Sequence, residues 1–255
     1  MLIEHAPGSG LSSARVGAAG TSPPATPISL IVVCRNARTG LMQTIESIRE
    51  LRDSRVLPII IDGASTDGTN LLLQTLKDWT FYACSEPDEG IYDAMNKGWA
   101  AAPANSYILY LGAGDLLLEL PPDVALREPG GEAYSLVLGN TRVGPVEFRS
   151  RWTRELHLRN TAHHQAMLVL KRLSLLPPFD PSLRAYADWD FNLRLFGRGI
   201  RAAHVAGFRT YAAPGGASWS MDTSEIFRVS RRHGGLLVGS ASWVLNSISR
   251  WRRFR

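Results

Sequence analysis

Between residues 28 and 115, short apolar segments alternate with segments of helical periodicity, and this alternation most constrains the fold. The first apolar run, ISLIVV, is β-branched and almost continuous, as expected for a strand buried on both faces. The pattern predicts further strands at residues 59–61, 81–83 and 107–111, and helices around residues 41–48, 72–79 and 91–101. The short connections favour an α/β fold with a mostly parallel central sheet and helices on both faces.

The pattern becomes less regular after residue 120, with short strands predicted at residues 136–138 and 146–148 and a helix near residues 188–196. No linker interrupts residues 28–220, so we predict one domain there. Residues 1–27 are rich in Ala, Gly, Ser, Thr and Pro and are predicted to be a disordered tail. Residues 221–255 are predicted to be a basic helical appendage, broken at Gly234 and Gly235.

Composition excludes several classes of protein. The chain is 45% hydrophobic, which is too much for a disordered protein, and its longest apolar run is too short to span a membrane. Two cysteines are too few for a disulfide framework, which favours a cytoplasmic location. A glycine-rich dinucleotide motif, a Walker A lysine and a GxSxG nucleophile elbow are all missing from the sequence.

The net charge of +5 comes entirely from the end of the chain. Residues 221–255 carry seven arginines against Asp222 and Glu225, while basic and acidic residues balance in the rest of the sequence. Apolar residues follow one side of the predicted helix, namely Leu237, Val244, Ile248 and Trp251. This segment is either a solvated basic helix or a surface that rests on the anionic inner face of the cytoplasmic membrane. Nucleic acid is not an expected partner, because no base-stacking aromatic motif accompanies the arginines.

Two aspartates follow predicted strands, where ligands bind in open α/β sheets. Asp62 opens the segment IDGASTDGT and has no evident local partner in the sequence, which favours a role in holding a base or ribose. Asp67 in the same segment is better explained as a cap of the following helix. Asp115 follows two glycines and is either a turn residue or a ligand of a hard cation such as Mg²⁺ or Mn²⁺.

The segment SEPDEGIYDAMNKG has two interpretations that its spacing alone leaves open. It is either a polar loop with a solvated first helical turn, or part of a ligand site. Asn96 and Gly98 are poor choices for a helix interior, and Asp93 with Asn96 and Lys97 lies on one helix face. These features favour the ligand site.

Two later segments add candidate residues. The adjacent histidines of HHQAM cannot easily bind one metal together, so zinc is not expected there. In ADWDFNLRL, Asp188 and Asp190 point to different faces of the predicted helix, so at most one of them shares a site with Asp115. A carboxylate near a substrate hydroxyl can act as a general base. Capping of the helix by Asp188 explains the same pattern equally well.

Bacterial family 2 glycosyltransferases contain, in this order and spacing, segments that this sequence resembles: ISLIVVCRN, IDGASTDGT, SEPDEGIYDAMNKG, LGAGD, HHQAM and ADWDFNLRL. The sequence is most similar to enzymes of exopolysaccharide, capsule and glycolipid assembly, including the colanic acid type, over residues 28–216. The resemblance implies a GT-A fold, a UDP- or GDP-sugar donor, a divalent cation and transfer with inversion. The acceptor would be a glycan or a lipid-linked molecule, which agrees with peripheral association at the inner membrane face.

The resemblance also implies roles for single residues. Asp62 would hold the base and ribose side, with the backbone near Val33 and Arg35 completing that pocket. The nucleotide-sugar site would be lined by Gly90, Asp93, Asn96 and Lys97.

On the catalytic side, the resemblance makes Asp188 the base, with Asp190 as the other possibility. His164 and Gln165 would lie near the diphosphate or acceptor, and Asp115 would be the carboxylate of the metal motif. That motif usually has acids at its first and third positions, whereas here only the last is acidic. Two other functions fit the expected fold: a nucleotide-sugar binding protein without catalysis, and a sugar nucleotidyltransferase.

Overall fold

The computed structural model describes residues 25–172, 177–214 and 223–253. The predicted N-terminal tail therefore lies outside the described residues, except for its last three. In the part of the chain that is described, no helix is both long enough and apolar enough to cross a membrane.

The first half of the molecule is a parallel sheet, with strand order β3-β2-β1-β4. Its strands are β1 (Ile28–Cys34), β2 (Val56–Asp62), β3 (Tyr82–Ser85) and β4 (Tyr107–Gly112). The connecting helices are α1 (Arg38–Leu51), α2 (Thr69–Thr75) and α3 (Ile91–Ala101). Every residue of β1 is buried because the strand lies between β2 and β4, which confirms the prediction from its continuous apolar run.

Beyond β4 the sheet continues in the order β8-β6-β9-β5, with β7 paired to β6. The elements of this half are β5 (Leu116–Glu119), β6 (Leu136–Val143), β7 (Val146–Arg149), β8 (Met167–Leu170), α4 (Ala187–Gly197), β9 (Ala203–Ala212) and α5 (Thr223–Arg253). Here β6 and β9 are parallel and the other pairs are antiparallel. The predicted α/β fold is confirmed, and its parallel order is concentrated in the first half.

Apolar side chains of β1 alternate between the two faces of the sheet and build a core on each. Ile31 and Val33 pack on the side of α3, while Leu30 and Val32 pack on the side of α1. Gly98 of α3 lies directly over β1, since a Cβ there would stand 2.3 Å from Ile31 Cγ2. The glycine that looked unsuited to a helix interior therefore lets α3 approach the sheet.

Helix α2 is shorter than its apolar spacing predicted. It ends at Thr75, whose hydroxyl donates to the Leu72 carbonyl, so Leu76 and Trp79 follow the helix rather than belong to it. Both still pack against the core, and the Arg49 guanidinium lies 4.7 Å from the centre of the Trp79 ring. Apolar spacing therefore identified the side chains that pack against the core, but not the end of the helix.

Helix α5 contains the predicted break, because Gly235 has φ +79° and is not helical. Before the break, Ile226 and Val229 are buried in the same core as α4. The predicted domain boundary at residue 220 stays a prediction.

Candidate functional site

The turn after β2 holds Asp62 completely buried. Ser65 donates to this carboxylate through both its backbone N–H and its hydroxyl, and the Ser85 hydroxyl donates at 2.6 Å. The Cys34 thiol approaches the other oxygen at 3.5 Å. The premise that Asp62 lacks a local partner was wrong: its carboxylate shapes the turn and joins the ends of β1, β2 and β3.

Asp67 is a structural residue, as the sequence favoured. Its carboxylate accepts the Thr69 N–H at 3.1 Å at the start of α2, and the Arg38 N–H at 2.9 Å at the start of α1. One side chain therefore sets the starts of two helices at the same edge of the sheet.

Arg35 and Gly90, two of the candidate residues, are exposed near the carboxyl ends of the parallel strands. The Arg35 side chain is 64% exposed, and its guanidinium stands 4.0 Å from the Asp88 carboxylate. Gly90 has φ +130° and would leave a Cβ in open space. Val33, by contrast, is buried, and its carbonyl accepts the Ala113 N–H at 3.0 Å, which joins the ends of β1 and β4.

Three candidate residues lie on α3, and they contact different parts of the molecule. Lys97 pairs with Asp93 at 3.4 Å and donates to the Pro87 carbonyl at 2.6 Å, so this pair holds the preceding loop. Asn96 faces inward, where its amide exchanges two hydrogen bonds with the Phe179 backbone, at 2.9 and 3.0 Å. Asn96 therefore connects α3 to the segment around Phe179, 83 positions later in the chain.

Asp115 lies at the end of β4 with 6% exposure. One carboxylate oxygen accepts the Ala213 N–H at 2.8 Å, and the other accepts the Gly112 N–H at 2.8 Å and the Gln165 amide at 3.4 Å. Burial raises the pKa of Asp115, and the two backbone hydrogen bonds partly offset this effect. The carboxylate is thus fixed in one orientation just beyond the end of β4.

Asp188 lies in the first turn of α4 and receives donors from distant parts of the chain. The Tyr92 hydroxyl of α3 shares its proton between the Ala185 carbonyl at 2.9 Å and one Asp188 oxygen at 3.3 Å, and the Asn160 amide donates to the other oxygen at 3.1 Å. His164 Nδ1 also lies 3.2 Å from that second oxygen. Burial and the Asp188 charge raise the pKa of Tyr92 well above its ordinary value, so the hydroxyl stays a donor.

Tyr92 and Asn160 were not among the predicted residues. Tyr92 belongs to a segment the sequence singled out, DEGIYDAMNKG, and its place beside other motif residues was the available signal. Asn160 had no local signal, because its contact with Asp188 spans 28 positions of irregular chain.

His164 and Gln165 connect the two carboxylates of the site. They belong to a short 3₁₀ turn before β8, where His164 contacts Asp188 and its neighbour Gln165 contacts Asp115. The hydrogen bond to Asp188 requires the tautomer of His164 with the proton on Nδ1. Adjacent residues thus bring Asp115, from the end of β4, together with Asp188, from the start of α4.

Asp190 has a different environment, although it is only two positions from Asp188. Its side chain is 2% exposed and accepts from Arg194 at 3.0 Å and from Arg232 and His233 of α5 at 2.9 Å each. Burial raises the pKa of Asp190, but the hydrogen bond from His233 and the charge of Arg194 outweigh burial and leave the pKa below its ordinary value. Asp190 therefore joins α4 to α5.

Among the described residues, no three His, Cys, Asp or Glu side chains come together in a group that could hold a metal ion. Among the described carboxylates, Asp115 is the one that we expect to bind a cation here. This fits a hard cation that completes its shell with phosphate oxygens and water. Gln165 Oε1 is also buried without a hydrogen-bond partner in the described structure, which leaves an unused oxygen beside that carboxylate.

The sequence matches a protein family and resembles known proteins of that kind. The family model described as glycosyl transferase family 2 matches residues 29–186. A PGL/p-HBAD biosynthesis glycosyltransferase of Mycobacterium bovis is 29% identical over 255 residues, covering 89% of this chain and 98% of that protein. An uncharacterized glycosyltransferase of Mycobacterium tuberculosis is 31% identical over 182 residues, covering 66% of this chain and 68% of that protein.

Solved structures share the fold at low sequence identity. S. aureus TarS 1-349 in complex with UDP-GlcNAc superposes with a TM-score of 0.62 at 14% identity, over 81% of this chain. The chain spans 65% of the length of that TarS structure. The mannosyltransferase PcManGT from Pyrobaculum calidifontis, in complex with GDP-Man and Mn²⁺, gives 0.57 at 17% identity, over 86% of this chain and 70% of that one. With the family match, these results show that the chain belongs to glycosyl transferase family 2 and is a glycosyltransferase with the GT-A fold.

Proposed function

We propose that this glycosyltransferase moves a sugar from a UDP- or GDP-sugar to a hydroxyl of a glycan or lipid-linked acceptor, with inversion at the anomeric carbon. Asp188 is the base, and Asp115 is the carboxylate that holds Mg²⁺ or Mn²⁺. The observation that carries the proposal is the His164–Gln165 bridge, which contacts both carboxylates at 3.2 and 3.4 Å. It gathers a candidate base and a candidate cation ligand at one end of the sheet.

The donor side of the proposed site is formed by the ends of β1, β2 and β4. Arg35 and Gly90 are open to a ligand, so we assign contacts with the nucleotide to them and to the backbone beside Val33. Asp62, by its burial, supports this pocket through Ser65 and Ser85. The other family positions, Asp93, Asn96 and Lys97, hold the loop before α3 and the Phe179 segment in place.

Asp188 takes the proton as the acceptor hydroxyl attacks. The acceptor oxygen forms a bond to the anomeric carbon while the bond from that carbon to the diphosphate breaks. The electron pair leaves with the nucleoside diphosphate, and the hydroxyl proton passes to Asp188. A base positioned in this way typically accelerates a reaction by about 10² to 10⁴. Attack opposite the leaving group inverts the anomeric configuration.

Tyr92 and Asn160 orient the Asp188 carboxylate by hydrogen bonds to its two oxygens. When bound at Asp115, a divalent cation supplies positive charge that stabilises the diphosphate leaving group. The solved complexes of TarS with UDP-GlcNAc and of PcManGT with GDP-Man and Mn²⁺ support a nucleotide-sugar donor and a divalent cation.

The acceptor belongs to cell-surface polysaccharide or glycolipid synthesis, and we place the reaction at the inner face of the cytoplasmic membrane. The similarity to a glycosyltransferase named for PGL/p-HBAD biosynthesis supports this class of pathway. The basic end of the chain, which carries the whole net charge, supports the membrane location.

The test is a screen of UDP- and GDP-sugars with Mn²⁺ or Mg²⁺, using lipid extracts as the source of acceptor. Release of nucleoside diphosphate and transfer of labelled sugar are measured, and NMR gives the anomeric configuration of the product. We expect one donor to support metal-dependent transfer with inversion. Donor binding without transfer or hydrolysis would identify a binding protein, and release of pyrophosphate from a nucleoside triphosphate and a sugar phosphate would identify a nucleotidyltransferase.

A further inference from the structure

The second half of α5, after Gly235, has its polar side toward the protein. Ser242 is completely buried, and its hydroxyl donates to the Leu158 carbonyl at 2.7 Å. Asn246, one turn later, donates to the same carbonyl at 2.9 Å. Two hydrogen bonds to the Leu158 carbonyl attach this side of the helix to the rest of the molecule.

The opposite side of this helix half is apolar and faces solvent. Leu237 is 86% exposed, Val244 48% and Ile248 50%, and their spacing of seven and four residues places them on one line. We name these three residues the apolar stripe. A helix on the surface of a soluble protein normally directs such a line toward its core. In the second half of α5, this line of apolar residues faces solvent instead.

Beside the apolar stripe, a groove of about 530 Å³ separates the two halves of α5. It is lined by Ser224, Phe227, Ser240, Trp243 and Val244. Trp243 is half-exposed, so an aromatic ring with a polar N–H stands at the edge of the apolar surface. Tryptophan prefers this position at the boundary between lipid and water.

The same segment carries the charge of the molecule. Residues 250–255 contain four arginines, and Arg228 and Arg231 lie on the first half of α5. The side chains of residues 249–255 lie outside the described structure, including Trp251 and those four arginines, so their charge is taken from the sequence alone. An exposed apolar line flanked by positive charge is the composition of helices that lie in the plane of an anionic bilayer.

We propose that the apolar stripe is buried in the interface of an anionic lipid bilayer, with the arginines of α5 at the level of the lipid headgroups. This inference specifies the surface behind the membrane location that the proposed function assumes. The alternative occupant of the stripe is a second copy of the chain. Charge argues against it, because pairing two stripes would bring two segments of net charge +5 together, whereas an anionic leaflet attracts each of them.

The first half of α5 fixes this surface to the catalytic side of the molecule. Arg232 and His233, just before the break at Gly235, both contact Asp190 of α4 at 2.9 Å. Asp188, the proposed base, lies in the first turn of the same α4 helix. A bilayer that holds α5 therefore also holds the helix that carries the base.

The experiment is co-sedimentation of the full chain with vesicles. Two compositions are compared, phosphatidylcholine alone and an equal mixture of phosphatidylcholine and phosphatidylglycerol. We expect at least about tenfold more bound protein on the anionic vesicles, and loss of that binding at high salt because the arginines contribute through charge. Equal recovery on both vesicles would overturn the proposal.

Two triple variants separate the apolar stripe from apolar exposure in general. The test variant is Leu237→Ser/Val244→Ser/Ile248→Ser. The matched control is Leu71→Ser/Val124→Ser/Val146→Ser, which changes residues that are 61%, 76% and 62% exposed elsewhere on the surface. We expect the test variant to lose most of its binding and the control to keep it, with thermal unfolding of both close to that of the wild type.

Oligomeric state and donor turnover complete the test. A wild-type dimer that the test variant converts to a monomer, with vesicle binding unchanged, would assign the stripe to a second copy and overturn the membrane proposal. We expect hydrolysis of a soluble donor to be the same in the test variant and the wild type. If vesicle binding follows the expected pattern but no donor is used, the proposed function fails while the membrane surface stands.

Discussion

The two halves of the molecule use their polar motif residues differently. In the parallel half, Asp62 and Asp67 bind donors from their own turn and from neighbouring strand or helix ends. In the second half, Asp188 receives donors from α3, from residue 160 and from residue 164. The first arrangement shapes the turn after β2 and the starts of two helices, whereas the second fixes the orientation of the carboxylate that we propose as the base. Residue type alone does not distinguish these two uses, because an aspartate serves in each.

The largest effect is expected at Asp188, whose replacement should remove catalysis while the fold is retained. Asp188→Asn keeps the size of the side chain but cannot take a proton, and its amide nitrogen replaces one of the two oxygens that accept hydrogen bonds. We expect sugar transfer to fall by about 10³-fold, within the range for a general base, with little change in the thermal unfolding midpoint. Asp78→Asn, on the exposed surface, is the matched control. Wild-type turnover in Asp188→Asn would remove its assignment as the base.

Asp190 is expected to show the opposite behaviour. Asp190→Ala leaves Arg194, Arg232 and His233 without their shared buried partner. We expect the free energy of unfolding to fall by about 3 kcal/mol, as when one partner of a buried ion pair is removed. Chemical denaturation measures this change. Asp180→Ala removes only the more exposed partner of Arg232 and should cost much less, so equal losses would show that the burial of Asp190 is unimportant.

The next prediction tests the close packing of α3 on β1, which belongs to the parallel half of the molecule. In Gly98→Ala, the added Cβ would overlap Ile31 Cγ2, which should lower the free energy of unfolding by about 2 kcal/mol. The same change at Gly197, the last residue of α4, meets no atom within 4 Å and should be neutral or slightly stabilising. Urea denaturation of both variants checks this difference, and similar values would contradict the tight contact.

The smallest effect is expected from protonation of His163, beside the bridge residues. Burial lowers the pKa of His163 to about 4, and the neighbouring His164 adds to the shift. Between that value and the ordinary value of 6.5, the unfolded chain binds the proton better, so stability falls as the pH falls through this window.

His163→Phe should therefore lose less stability than the wild type between pH 7 and pH 5.5, by about 1 kcal/mol. Denaturation curves at the two pH values measure the difference. The aromatic replacement retains a ring for the contact with Phe148, which lies 4.2 Å away between ring centres. An unchanged dependence on pH would show that His163 does not titrate in this range.

Most of the parallel half could be predicted from the sequence, because local periodicity determines buried strands and amphipathic helices. Strand β1 and helix α3 were predicted within a residue of their observed bounds. The order of β8, β6, β9 and β5 could not be predicted, since these short strands pair across long and irregular connections.

The candidate site was predictable in part for the same reason. Asp115 and Asp188 were visible as carboxylates beside recognisable elements. The partners of Asp188 were not, because Tyr92 and Asn160 reach it from 96 and 28 positions away. The inward turn of Asn96 toward Phe179, across 83 positions, was hidden for the same reason.

The bridge between the carboxylates has a mechanical consequence. His164 and Gln165 share one peptide group, so a displacement of Asp115 that carries Gln165 with it also displaces His164 and its contact with Asp188. In the proposed reaction, the carboxylate that holds the cation and the carboxylate that takes the proton are therefore not independently adjustable. A substitution that repositions one of them is transmitted to the other, and a new acceptor preference is more readily obtained by changing loops outside this dipeptide.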